Sequence, residues 1–317
     1  FNFFLTSGLK SQNLYGQINF SETLKSTIPW LTVSAGIFAL EGLRGADIDL
    51  GYRWSRFYGL PPNHTVNAGF YFNQTVDSGY TDLYQAGKTG VLYGRYDIGA
   101  HRGGMGMELQ IEAATTVEGM SDWSFSRLQA KSKMAFPVGN FGTAMSFFLG
   151  KMWSGAEGVP GQEKFNIESA GSGDYYAKPY LRHASAFYGA QTVRDHFHMN
   201  GEGNLRGYYD HDFSGAETAL VATLEGSYSL PTPLVETKVR IFMEGGSFRS
   251  ELASDGLGGD LLADAGLGFV FSKKIFGKIG RLRLDFPFWL NHTANPAGRE
   301  IKSLDLTRWV IGFDSGL

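Results

Sequence analysis

The chain has 317 residues, and 28 Lys and Arg against 31 Asp and Glu leave a net charge of −3, so no basic surplus points to nucleic acid. Charged residues make up only 19%, the 43 glycines are about twice the usual share, and no apolar run approaches the roughly 20 residues of a spanning helix, which excludes a helical membrane protein. Cysteine is absent, which excludes disulfide frameworks and cysteine metal sites.

The predicted elements are strands. Apolar and polar residues alternate in about fourteen segments, near residues 1–8, 14–20, 31–40, 45–58, 64–77, 88–99, 103–117, 124–138, 143–154, 218–230, 235–248, 260–273, 281–291 and 307–317, with one or two less regular ones in 155–200. Successive side chains of a strand point to opposite faces. Ala46, Ile48, Leu50, Tyr52 and Trp54 therefore oppose Asp47, Asp49, Gly51 and Arg53. Val239, Ile241 and Met243 oppose Arg240, Phe242 and Glu244. Leu282, Leu284, Phe286, Phe288 and Leu290 oppose Arg281, Arg283, Asp285, Trp289 and Asn291. The first run, Phe1-Asn2-Phe3-Phe4-Leu5, opens directly on a strand without a basic leader, so the chain is expected to be mature or the C-terminal part of a longer protein.

Tight turns at Gly139–Gly142 and Pro231–Pro233 contrast with one long polar insertion, 155–217. Short turns on one side, long loops on the other and strands of roughly 9–11 residues or more are the pattern of outer-membrane barrels. Trp54, Tyr58, Trp153, Tyr228 and Trp309 near segment ends suit interfacial aromatic girdles. The predicted fold is all-β: a transmembrane antiparallel β-barrel of the bacterial outer membrane. A soluble sandwich or lipocalin-like protein is the competing reading, and it needs fewer strands than these.

The long insertion ends in Gly201-Glu202-Gly203-Asn204-Leu205-Arg206-Gly207-Tyr208. A buried guanidinium needs partners, and its rigid fork suits carboxylates. Glu244, Asp285 and Asp264 fall on the predicted polar faces of the strands that follow. Arg206 is expected to pair with Glu244 and Asp285, with Asp264 near, and Tyr208 to pack beside Phe242.

From Gly201 to Leu317 the chain resembles the outer membrane protein 85 superfamily, which includes BamA-type assembly factors, bacterial surface antigens and two-partner secretion transporters. The superfamily's Arg-Gly-aromatic loop motif corresponds to Leu205-Arg206-Gly207-Tyr208, preceded by Gly203. Its F-x-D-x-G strand reads Phe242-Met243-Glu244-Gly245-Gly246 here, with Glu for Asp. Its G-x-G strand matches Gly266-Leu267-Gly268, and its L-R-L-D strand matches Leu282-Arg283-Leu284-Asp285. The final strand, with Trp309, Ile311, Phe313 and Leu317 on one face and Gly312 between them, resembles the signal read by the barrel-assembly machinery. The N-terminal half matches only as generic barrel strands.

The resemblance implies sixteen strands, of which about fourteen are visible, with two preceding Phe1. It also implies an N-terminal periplasmic or enzymatic domain outside 1–317. It implies a non-enzymatic barrel that inserts or secretes polypeptides through a seam between first and last strands, which Gly312 and Gly316 would weaken. The expected partners are the bilayer, lipopolysaccharide, unfolded outer-membrane or secreted polypeptides, and periplasmic or lipoprotein subunits. Two other functions stay open: an anchor or exporter for an attached patatin-like or metallopeptidase domain, and a passive porin. No cofactor or metal is expected. His183, His196, His198 and His211 are spaced too loosely for a metal motif, and no G-x-S-x-G elbow exists. Arg127, Lys131 and Lys133 are expected to form a hydrated polar face.

Overall fold

A computed structural model of the chain describes residues 2–7, 14–23, 31–40, 43–57, 60–76, 85–102, 105–167, 196, 198, 201–208, 214–232, 235–249, 261–275, 278–291 and 303–315. Nine strands come before the long loop: β1 Asn2–Ser7, β2 Leu14–Thr23, β3 Leu31–Leu40, β4 Leu43–Phe57, β5 Leu60–Thr75, β6 Gly87–Arg102, β7 Met105–Thr116, β8 Phe125–Val138 and β9 Phe141–Ser154. Within the loop lie two short strands, β10 Phe165–Asn166 and β11 Ser214–Ala216. Five strands follow it: β12 Thr218–Leu230, β13 Glu236–Arg249, β14 Leu261–Ile275, β15 Lys278–Leu290 and β16 Val310–Ser315.

The fourteen longer strands follow chain order in one sheet, and β10 pairs with β11 in a second. The fourteen predicted segments coincide with these fourteen strands, whereas the one or two less regular ones in 155–200 fall largely outside the described residues. No helix among the described residues is long and apolar enough to cross a membrane.

The chain divides into two compact units. The first comprises 1–102, 107–131 and 150–164. There Ile48, Leu50 and Leu92 are exposed on one face of the sheet. The opposite face carries polar side chains that bond one another. Asn67 Nδ2 donates to Asp97 at 3.1 Å, Gln110 Nε2 to its other oxygen at 2.8 Å, and the Tyr93 hydroxyl to Asp49 at 2.8 Å.

The second unit comprises 103–106, 132–149 and 165–317. In β13, Ile241 and Met243 are 61% and 56% exposed, while Arg240, Phe242 and Glu244 between them are buried. This is the reverse of a soluble protein, which exposes charge and hides Ile. It is what a strand needs when one face meets hydrocarbon and the other a wet interior. Ile241→Lys should therefore cost roughly 2–4 kcal/mol if its site lies near mid-bilayer. Equilibrium unfolding from lipid vesicles measures it, and an unaffected variant would mean that this face does not meet lipid.

One predicted face needs correcting. Ala265 pairs with Trp289, but Gly266 pairs with Pro287, so Phe288 is an extra residue in β15. Such a bulge shifts the side-chain alternation by one position beyond it. Leu290, expected on the apolar face with Leu282 and Leu284, is fully buried instead, and Trp289, expected on the polar face, is 38% exposed.

Candidate functional site

The long loop returns to the sheet at 201–208. Asn204 has a φ of 98°, a left-handed conformation that Asn tolerates better than most residues, and its side-chain oxygen accepts the Gly201 N–H at 3.1 Å. The segment then runs beside 166–167: Gly203 donates to the Asn166 carbonyl at 3.0 Å and Leu205 to that of Ile167 at 3.1 Å. A Cβ on Gly203 would stand 1.7 Å from the Ile167 oxygen, so only glycine permits this approach. Phe165, at the start of the partner segment, meets Phe148 of β9 edge-on with ring centroids 5.3 Å apart.

This seating carries Arg206, Gly207 and Tyr208 as one helical turn onto the polar face of β12–β15. Arg206 is 2% exposed. Its Nε donates to Glu244 Oε1 at 2.8 Å and its backbone N–H to Glu244 Oε2 at 2.9 Å. Its Nη1 reaches Asp285 Oδ2 at 3.2 Å, and its Nη2 pairs with Glu225. Its Cζ lies 4.0 Å from the centroid of the Phe242 ring, in cation–π contact. Burial alone would lower the guanidinium's pKa; Glu244, Glu225 and Asp285 outweigh it and hold the group well above its ordinary value.

Three features go beyond the expected pairing. Glu225, on the same face of β12, was not singled out in the sequence and is a third carboxylate on Arg206. Asp264 accepts the Gly207 N–H at 3.0 Å rather than a guanidinium hydrogen. The ring beneath the guanidinium is Phe242, expected beside Tyr208. The Tyr208 hydroxyl donates to Asn291 Oδ1 at 3.1 Å, and Asn291 in turn bonds the β14 backbone at Ala263 and Leu261.

Two more arginines complete the cluster. Arg240 Nε donates to Asp285 Oδ1 at 3.0 Å, and Arg240 Nη1 lies 3.3 Å from Glu225. Arg283 Nε lies 3.1 Å from Asp285 Oδ2. Four carboxylates thus face three guanidiniums.

The register explains the Gly266-Leu267-Gly268 pattern. Arg240 pairs with Gly268, and Gly268 pairs with Asp285, so the guanidinium and carboxylate meet across a residue with no side chain. A Cβ there would lie 2.2 Å from Asp285 Oδ1, and one on Gly266 would lie 2.4 Å from the Phe242 ring. Gly246, opposite Val221, is buried as well.

The first unit holds the start of the long loop. Glu163, buried in a short turn at 161–163, accepts the Tyr71 hydroxyl at 2.7 Å and lies 3.8 Å from Arg127. Arg127 also bonds Glu112 at 3.0 Å, so it belongs to a half-buried ion-pair network rather than the hydrated face expected of it. Lys133 is exposed.

The C-terminal strand residues lie along β16 and just before it. Trp309 stacks on His196, Ile311 bonds the loop backbone, and Gly312 and Phe313 pair with Arg283 and Leu282. Leu317, Gly316, His183 and His211 lie outside the described residues. Among the described residues no group of three or more His, Asp or Glu could hold a metal.

No family model matches the chain, and no curated protein matches it. A solved structure, CdiB from Escherichia coli, is similar with a TM-score of 0.54 and 11% identity over 96% of this chain. The chain spans half the length of that protein. At this identity the likeness shows the fold alone. That fold is a membrane-type antiparallel β-barrel, and the face on which Arg206 meets Glu244 and Asp285 lies opposite the exposed apolar side chains of the same strands.

Proposed function

We propose that this chain is an outer-membrane barrel that inserts or translocates polypeptides. The observation that supports the reading is the seating of Arg206 on Glu244, Asp285 and Glu225, which fastens a loop tip to the interior wall. A translocator can use it, because a loop held by charge stays in register while other parts of the wall move. The likeness of the fold to that of CdiB is consistent with this. So are the motifs Phe242 to Gly246, Gly266 to Gly268 and Leu282 to Asp285.

In this reading the barrel performs no covalent chemistry. It resides in the bacterial outer membrane, against lipopolysaccharide on its outer side. Its cargo is an unfolded polypeptide, delivered with the help of periplasmic or lipoprotein subunits.

Depletion of the protein in its own cell, followed by quantitative proteomics of outer membrane, periplasm and medium, tests it. A small set of polypeptides is expected to fall at the surface or in the medium while their precursors accumulate. Unchanged proteomes with impaired uptake of small solutes would leave a porin instead.

A further inference from the structure

The register of β4, β5 and β6 sets the outward face of the first unit in rows. Arg44 pairs with Gln74, and Gln74 pairs with Lys88. Apolar rows such as Ile48–Phe70–Leu92 follow on the same face, and the last is Trp54–His64–Ile98. Ile48, Leu50 and Leu92 are exposed, as a band against hydrocarbon requires.

Rings close one end of this band. Trp54 stacks on His64 with centroids 5.3 Å apart, and His64 Nδ1 lies 2.7 Å from the Tyr96 hydroxyl. Arg44, Gln74 and Lys88 close the other end. Arg44 and Trp54 are ten residues apart. That is roughly 33 Å along a strand, and roughly 25 Å across the bilayer at a barrel tilt of about 40°. The apolar band of an outer-membrane barrel is about 25 Å tall, so the Arg44–Gln74–Lys88 row lies at headgroup level.

The long loop leaves from this same end. The 117–124 connection meets β6 there, with the Asp122 N–H donating to the Lys88 carbonyl at 2.9 Å and Asp122 Oδ2 accepting the Lys88 N–H at 2.7 Å. Gly155, where the loop begins, donates to the Ser124 carbonyl at 2.7 Å, and Trp153 just before it is 53% exposed. Short turns join β4 to β5 and β6 to β7 at the opposite end. Long loops lie outside the cell and short turns in the periplasm, so the row faces the outer leaflet.

Arg44 and Lys88 are both exposed, and among the described residues neither forms an ion pair. The interior face differs, for there Arg95 and Arg127 meet Asp97 and Glu112. Two interstrand spacings, about 10 Å, separate the two outward cations, with a neutral amide between them.

We infer that Arg44, Gln74 and Lys88 form a binding site for the phosphorylated headgroup of the outer-leaflet glycolipid, lipopolysaccharide, whose acyl chains lie along Ile48, Leu50 and Leu92. The leaflet and the glycolipid rest on the outer-membrane reading, but the headgroup level of the row does not. Arginine presents a fork to two phosphate oxygens, lysine a point charge, and glutamine an amide donor. A barrel gripped there sits at a fixed depth in the leaflet.

The test takes the full-length protein in detergent micelles, lipid A as the probe and native mass spectrometry as the readout. Wild type is expected to retain lipid A. Arg44→Gln with Lys88→Gln is expected to bind it roughly tenfold or more weakly, through loss of charge-assisted hydrogen bonds. Lipid A stripped of its phosphates is expected to bind wild type as weakly. Lys133→Gln, an exposed charge outside the row, is expected to leave binding unchanged. Equal binding by wild type and the double variant overturns the site. Phosphatidylglycerol held as tightly as lipid A, and lost in the same variant, overturns the glycolipid and leaves an anionic-phospholipid contact.

A double variant that does not fold would be replaced by Lys88→Gln alone. Weaker lipid A binding then supports the site, and wild-type binding overturns it. A protein that holds lipid A through this row, and whose depletion leaves every surface and secreted polypeptide unchanged, would keep the site and lose the translocation reading.

Discussion

Arg206→Ala is expected to destabilise the folded barrel by roughly 3–5 kcal/mol, the cost of removing one partner from a buried ion pair. The loss falls unevenly. Asp285 keeps Arg240 and Arg283, and Glu225 keeps Arg240. Glu244 gives up both of its contacts with the guanidinium and remains fully buried. The double variant Arg206→Ala with Glu244→Ala should therefore recover part of the stability, and a double-mutant cycle measures how much. Arg206→Lys should fall between, since one ammonium cannot span three carboxylates with the geometry of a planar fork. Unfolding midpoints in lipid vesicles decide the matter. A single variant as stable as the wild type would mean that the loop is not seated on the wall in solution.

Gly203→Ala should free the loop while sparing the barrel. The new methyl would lie 1.7 Å from the Ile167 carbonyl oxygen, a backbone atom that cannot swing aside as a side-chain end could. Residues 201–208 must then separate from 166–167 and lose two backbone hydrogen bonds, a loss of about 1–3 kcal/mol. Limited proteolysis within the loop should accelerate, while the strands keep their resistance. Equal cleavage rates in Gly203→Ala and wild type would contradict the seating.

What could be read from the residues differs by level. The strands were legible because twelve of the fourteen run for ten or more positions, and their polar faces follow from the same parity. Glu244 and Asp285 could be matched to Arg206 on charge and parity alone. Glu225 met the same criteria, but nothing marked it except a register that puts it opposite Phe242. The exchange of Leu290 and Trp289 was missed although Pro287 beside the extra residue at Phe288 was a signal, since proline within a strand marks an edge or a bulge; which residue is extra is set only by the pairing of β14 with β15. The pairing of His196 and His198 with Ile311 was invisible. Backbone bonding to a sheet edge leaves no trace in side-chain pattern, and the two histidines read as loop polarity.

The anchors of the long loop also have an entropic consequence. Within the second unit the loop is tied at Phe165–Ile167, at His196 and His198, at Gly203–Tyr208 and at Ser214–Ala216. Each tie shortens the free span that the next must close, and closure entropy grows only with the logarithm of that span, by about 0.6 kcal/mol per doubling. No single span is therefore costly once its neighbours are set, and undoing one tie lengthens the adjoining spans. The loop should come off its wall in a few correlated steps rather than fray residue by residue, so a modest pull at either end would be felt at the other.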